Sequence, residues 1–128
     1  MSISSINRAS GFTLIEIMVV ISLMALLLAA AVPFFSWAQG VASNSNASNR
    51  AIILNSAKSQ YLLEYGYAAH ASFNAKTNAL KYGALNQYLG YVASTLSSYI
   101  PSGYTYSLKN LNQKTAVTST SGGPSLSY

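Results

Sequence analysis

From Phe12 to Phe35 the chain runs for 24 residues almost without a polar group, "FTLIEIMVVISLMALLLAAAVPFF", and this stretch limits what the remainder can be. As a helix it would be about 36 Å long, against about 30 Å for the hydrocarbon core of a bilayer. It is longer than the core of an ordinary secretory signal, and the short polar leader passes into it without an Ala-x-Ala cleavage pattern of the usual secretory type. Burial inside a soluble domain is the other way to hide such a run, but the 93 mostly polar residues after Phe35 are too few to wrap it. The expectation is a membrane-spanning helix. Arg8 precedes the run and no Lys or Arg follows until Arg50. The positive-inside tendency then puts the N-terminus in the cytoplasm and the bulk of the chain outside.

One residue conflicts with this environment. Glu16 is the fifth residue of the run. A charge at the centre of a span costs roughly 2.5–3.5 kcal/mol and an off-centre one less, so the apolar neighbours outweigh it. An intramembrane carboxylate nevertheless calls for a partner, and no Lys, Arg or His lies between Thr13 and Gln39. The partner is expected from outside the span. A charged chain terminus would serve, if the chain began near this point.

The rest of the composition argues against catalysis. There is no Asp and no Cys, the only acids are Glu16 and Glu64, and the only histidine is His70. A carboxylate pair, a Ser–His–Asp triad or a cluster of hard metal ligands cannot be built from such a set. His70 reads as a solvated or lightly packed side chain, and no cofactor or metal is expected. The net charge of +5 reflects scarce acids, with Lys58, Lys76, Lys81, Lys109 and Lys114 dispersed singly. A nucleic-acid surface would require these to converge in space.

Along the chain, Pro33 predicts a kink or local unwinding near the end of the apolar run. Residues 39–49, "QGVASNSNASN", read as linker by composition or as the continuation of one long helix. From Arg50 a helical period places Leu54, Ala57, Tyr61 and Tyr65 on one stripe, which Gly66 ends. A second helical pattern covers 83–100 through Leu85, Leu89, Val92, Leu96 and Ile100, weakened at Gly90 and closed by Pro101. The period then becomes two: Tyr104, Tyr106 and Leu108 alternate with Thr105, Ser107 and Lys109 as a half-buried strand. "QKTAVTST" is its expected partner after a turn at Asn110–Asn112, and the tail from Ser121 frays or adds a short edge strand. Ten tyrosines read mainly as amphipathic packing, with rings on a small core and hydroxyls in water.

The stretch "SGFTLIEIMVVISLMALLLAAAVPFF" from Ser10 to Phe35 resembles the N-terminal signature of bacterial type IV pilins and type II secretion pseudopilins. The match consists of a short polar leader with a basic residue, Gly-Phe-Thr-Leu-Ile-Glu, about twenty apolar residues and a late proline. The resemblance implies that prepilin peptidase cuts between Gly11 and Phe12 and that the new amino group of Phe12 is methylated. It implies a precursor in the inner membrane, extraction by an inner-membrane assembly platform, and pairing of Glu16 in an incoming subunit with the Phe12 ammonium of a neighbour. It further implies an α+β lollipop. Residues 1–11 are then a leader and residues 12–35 a membrane or filament-core segment. Residues 36–128 form a globular head, the long helix reaching to about residue 65 and packing on a small antiparallel sheet.

Three departures bear on the choice within the family. Met24, Ala25 and Leu26 stand where many members carry a mid-span glycine, there is no cysteine pair to close a C-terminal loop, and no acid follows Glu64 to form a calcium loop. The last tilts the reading toward a pilus subunit, self-assembling into a surface filament for adhesion, motility or DNA uptake. The alternatives are a pseudopilin of a secretion system and a DNA-binding competence pilin. The latter would use Arg50, Lys58, Lys76, Lys81, Lys109 and Lys114 on phosphates with tyrosines stacking on bases.

Overall fold

The computed structural model describes residues 11–90, 93–121 and 126. The leader before Gly11, Arg8 included, and Val92 of the second helical pattern lie outside the described residues. Among the described residues the chain has the α+β composition expected: a long helix, α1 (Leu14–Tyr65), three short helices and a two-stranded antiparallel sheet. It divides into two units, residues 1–39 and 40–128.

In the first unit every residue from Gly11 to Trp37 is exposed. Within α1 an 18-residue window reaches a mean hydropathy of 2.7 with none of it buried. A core helix of a soluble protein would be covered by its own chain, whereas this surface is left for another apolar medium. The hydroxyls of the segment are satisfied inside the helix: Ser22 donates to the Met18 carbonyl at 2.7 Å and Ser36 to that of Pro33 at 2.9 Å. Helical backbone runs through Pro33 without interruption, so the predicted local unwinding is not present.

The second unit is built on the later part of α1. The Ser/Asn-rich 40–49 segment is helical and not a linker, because Ala47 and Ala51 are fully buried beneath the sheet and join Leu54, Ala57 and Tyr61 in one core. Packing of this small-residue stripe overrides the weak local propensity. Tyr65, expected on the same stripe, is about half exposed. Gly66, in left-handed backbone with φ 68°, ends the helix as read from the sequence, its N–H on the Leu62 carbonyl at 2.9 Å.

After α2 (Ala69–Asn74), the single helix expected over 83–100 is replaced by the end of α3 (Asn78–Leu85), a 3₁₀ turn at Asn86–Tyr88, and α4 (Leu96–Tyr99). Gly90 takes φ 57°, which a helix interior does not permit. Thr95 then starts α4 through a capping box with Ser98. The apolar positions were nonetheless core positions: Leu85 and Leu89 are buried and Leu96 and Ile100 pack against the cluster.

Strand β1 (Tyr104–Ser107) pairs with β2 (Ala116–Ser119) in the register Tyr104–Ser119 to Ser107–Ala116, and Leu126 adds a single bridge to Val117. Tyrosine hydroxyls fasten this sheet and α4 to α1. Tyr106 donates to the Ala47 carbonyl at 2.6 Å, Tyr99 to that of Arg50 at 3.0 Å, and Tyr104 to the Asn44 side chain at 2.6 Å. The rings supply core as expected, but these hydroxyls are on acceptors within the protein and not in water, because burial of the ring end requires a partner for the O–H.

Tyr99 and Tyr88 set an alkaline limit. Burial, and next the charge of the neighbouring Tyr82 when it ionises, pushes Tyr99 up to about 12, and Arg50 beside it opposes the shift. Desolvation and the hydrogen bond to Glu64 push Tyr88 up to about 12 as well. An ordinary tyrosine ionises near 10, so between about pH 10 and 12 the unfolded chain releases protons that the folded chain retains. Stability held below pH 10 is therefore lost as pH rises through that window. Thermal unfolding of the chain in detergent should show a falling midpoint above pH 10. Tyr99→Phe, which has no proton to lose, should flatten that fall.

Candidate assembly site

The residues singled out by the sequence lie at the start of α1. Gly11 is exposed with no atom within 4 Å of where a Cβ would sit, and Phe12 is 83% exposed. Thr13 caps the helix. Its carbonyl accepts from the Glu16 and Ile17 N–H groups at 3.1 and 3.3 Å, and its hydroxyl accepts from the Glu16 N–H at 3.3 Å. The Glu16 carboxylate reaches back: Oε2 accepts from the Thr13 backbone N–H at 2.7 Å and from the Thr13 hydroxyl at 2.9 Å.

This reciprocal pair is a capping box, and it corrects the expectation that Glu16 has no partner within its own span. Thr13-x-x-Glu16 carries that signal in the sequence, where the pattern of opposite charges alone does not show it. The position is electrostatically apt, because a carboxylate in the first turn faces the positive end of the helix dipole. Both bonds fall on Oε2, and among the described residues no donor reaches Oε1. The carboxylate is thus satisfied in part by its own helix and retains an oxygen for a donor from elsewhere. A cut between Gly11 and Phe12 would leave the Thr13 N–H an amide, so the box is compatible with both the cut and the uncut chain.

Beyond Glu16 the exposed apolar surface continues to Pro33, Phe34 and Phe35, with the Phe34 and Trp37 rings 5.8 Å apart. These aromatics stand where the apolar run gives way to polar sequence, as an interfacial belt does.

In the head, the dispersed cations are placed otherwise than a phosphate-binding surface needs. Lys58 is 2% exposed and Lys81 6% exposed. Lys58 Nζ donates to the carbonyls of Leu108, Asn110 (3.5 Å) and Gln113 (2.9 Å), and Lys81 Nζ to that of Lys109 at 2.7 Å. The Arg50 guanidinium donates to the Tyr99 carbonyl and lies 5.5 Å over the Tyr99 ring. Three of the six candidate cations are committed to the head's own backbone and core. Sequence reasoning missed Lys58 because its burial shows only once the 108–113 turn is folded over it. His70 stacks on Tyr67 at 5.2 Å, and its Nδ1 lies 2.9 Å from the Asn74 amide nitrogen.

Residues 6–32 match the family model described as the prokaryotic N-terminal methylation motif. No curated protein and no solved structure matches the chain. What the resemblance read from Gly11 to Phe35 has in support is this motif over residues 6–32 and the apolar helix that it enters.

Proposed function

We propose that this chain, bearing the prokaryotic N-terminal methylation motif, is a structural subunit of a type IV pilus. It is made as a single-pass inner-membrane precursor with its N-terminus in the cytoplasm. Prepilin peptidase cleaves it between Gly11 and Phe12 and methylates the Phe12 amine, and an inner-membrane assembly platform inserts it into a homopolymeric surface filament. The observation that carries the reading is the motif over residues 6–32, which ends in an exposed apolar helix with Glu16 in its first turn. Glu16 pairs with the Phe12 ammonium of a neighbouring subunit through the carboxylate oxygen its own cap leaves open. Such a pair sets register and recruitment, while packing of the apolar helices supplies most of the cohesion.

A secretion pseudopilin would share the whole N-terminal machinery. The absence of any acid after Glu64 supports the pilus reading over a major pseudopilin. The competence reading has less support, since Arg50, Lys58 and Lys81 are engaged within the head.

An intact-mass spectrum of material sheared from the cell surface tests the proposal. The expected species is Phe12–Tyr128 carrying one added methyl group. Recovery of the full-length chain alone, confined to the inner membrane, would overturn it.

A further inference from the structure

The turn after β1 has the chemistry of a cation site. The backbone oxygens of Leu108, Asn110 and Gln113 converge on one point, and the Lys58 ammonium occupies it. The N–H groups of the same segment are taken up separately by amide side chains. Leu108 N donates to Asn78 Oδ1 at 3.1 Å, Leu111 N to Asn74 Oδ1 at 2.9 Å, and Thr115 N to Asn55 Oδ1 at 2.9 Å. The Leu108 and Gln113 carbonyls thereby face the cation, and that of Asn110 accepts both from it and from the Gln113 N–H at 3.1 Å. Lys109 sits between with φ 51°, a strained conformation for a residue with a side chain, and its carbonyl is held by Lys81.

Lys58 stands on a stripe of α1 otherwise made of Ala47, Ala51, Leu54, Ala57 and Tyr61. A leucine or methionine there would bury without the cost of desolvating an ammonium. What the lysine adds is three N–H donors for three carbonyls, with its stem covered by the core. Burial, and secondarily the nearby charge of Lys81, lowers Lys58 to about 8, so at neutral pH the side chain is still mainly the cation.

We infer that residues 108–113 form a cation-binding turn whose ion the chain supplies itself, as the Lys58 ammonium, and that the shape of this turn depends on an N–H-bearing cation at that point. The turn presents Asn110, Asn112, Gln113 and Lys114 to solvent, so Lys58 sets the geometry of an exposed polar loop from beneath. The inference is independent of filament assembly.

Hydrogen exchange on the full chain in detergent provides the test. In Lys58→Ala the amides of Leu108, Leu111, Gln113 and Thr115 should exchange about tenfold faster than in the native chain, or more. n-Propylammonium should restore most of their protection, whereas tetramethylammonium and sodium chloride at equal ionic strength should not. Unchanged exchange, or equal rescue by tetramethylammonium, would overturn the inference. A readout on the native chain covers the case in which the alanine variant does not fold. The Lys58 ammonium protons should exchange about tenfold slower than those of exposed Lys109, and equal rates would also overturn it.

Discussion

Glu16→Ala is expected to remove the subunit from the sheared surface fraction almost completely while leaving the processed chain in the inner membrane. Two losses are combined in this variant, and their sizes differ. The capping box contributes about 1 kcal/mol, roughly a fivefold effect on the first turn of α1. The larger loss is the intermolecular pair of the proposed filament, because a Phe12 ammonium stripped of its partner in a water-poor helical bundle costs about 3–5 kcal/mol, or on the order of a hundredfold to several thousandfold. Membrane insertion works in the opposite direction, since removing an intramembrane charge makes the span more apolar. Failure to reach the surface would therefore not reflect failure to insert. Thr13→Ala isolates the smaller effect: it deletes the hydroxyl that caps the helix and leaves the carboxylate. Quantitative immunoblots of sheared and membrane fractions should show Thr13→Ala within about fivefold of the native chain. If both variants reduced the surface fraction equally, Glu16 would be a helix cap and no more.

The same two residues show what was legible in the sequence and what was not. The apolar run, its odd carboxylate and the Gly11–Phe12 junction are contiguous, so their chemistry could be read locally. The hairpin was equally local: the period-two alternation at Tyr104, Tyr106 and Leu108 is a property of four or five neighbouring residues, and β1 and β2 formed where it placed them. Local reading runs out where a distant partner decides. Residues 39–49 read as linker or as continuation of the long helix, and helix prevails because Tyr106 and Tyr104 fasten to the segment from about 60 residues away and its alanines admit close packing. Residues 83–100 had the right apolar spacing for a core, yet the left-handed backbone at Gly90 ends any helix there. Lys58 looked like one more surface cation because its three carbonyl partners lie 50 to 55 positions later. The head closes without a cysteine pair, its 108–115 segment held by Lys58, Lys81 and three asparagines, and no local pattern announces such an arrangement.

The second large effect concerns the head alone. Leu54→Ala should destabilise it by about 2–5 kcal/mol, while Ile52→Ala, two positions away on the same helix, should change its stability by less than about 1 kcal/mol. The residues are alike in size and hydrophobicity and differ in where α1 points them. Leu54 is 0% exposed, whereas Ile52 is 47% exposed. Truncating Leu54 removes buried methyl groups and leaves a cavity between α1 and the elements packed on it, which small neighbours such as Ala51 and Ala57 cannot fill by moving. Truncating Ile52 removes surface that water already reaches in part. For a unit of this size each kcal/mol shifts the midpoint by about 4–8 °C, so Leu54→Ala should lower thermal unfolding in detergent by on the order of 10 °C or more. Similar losses for both variants would mean that the 52 face is covered, and the stripe assigned to the core would have to be redrawn. A stable Ile52→Ala variant that assembles poorly would instead place that half-exposed face between subunits, separating a contact that folds the head from one that joins it to a neighbour.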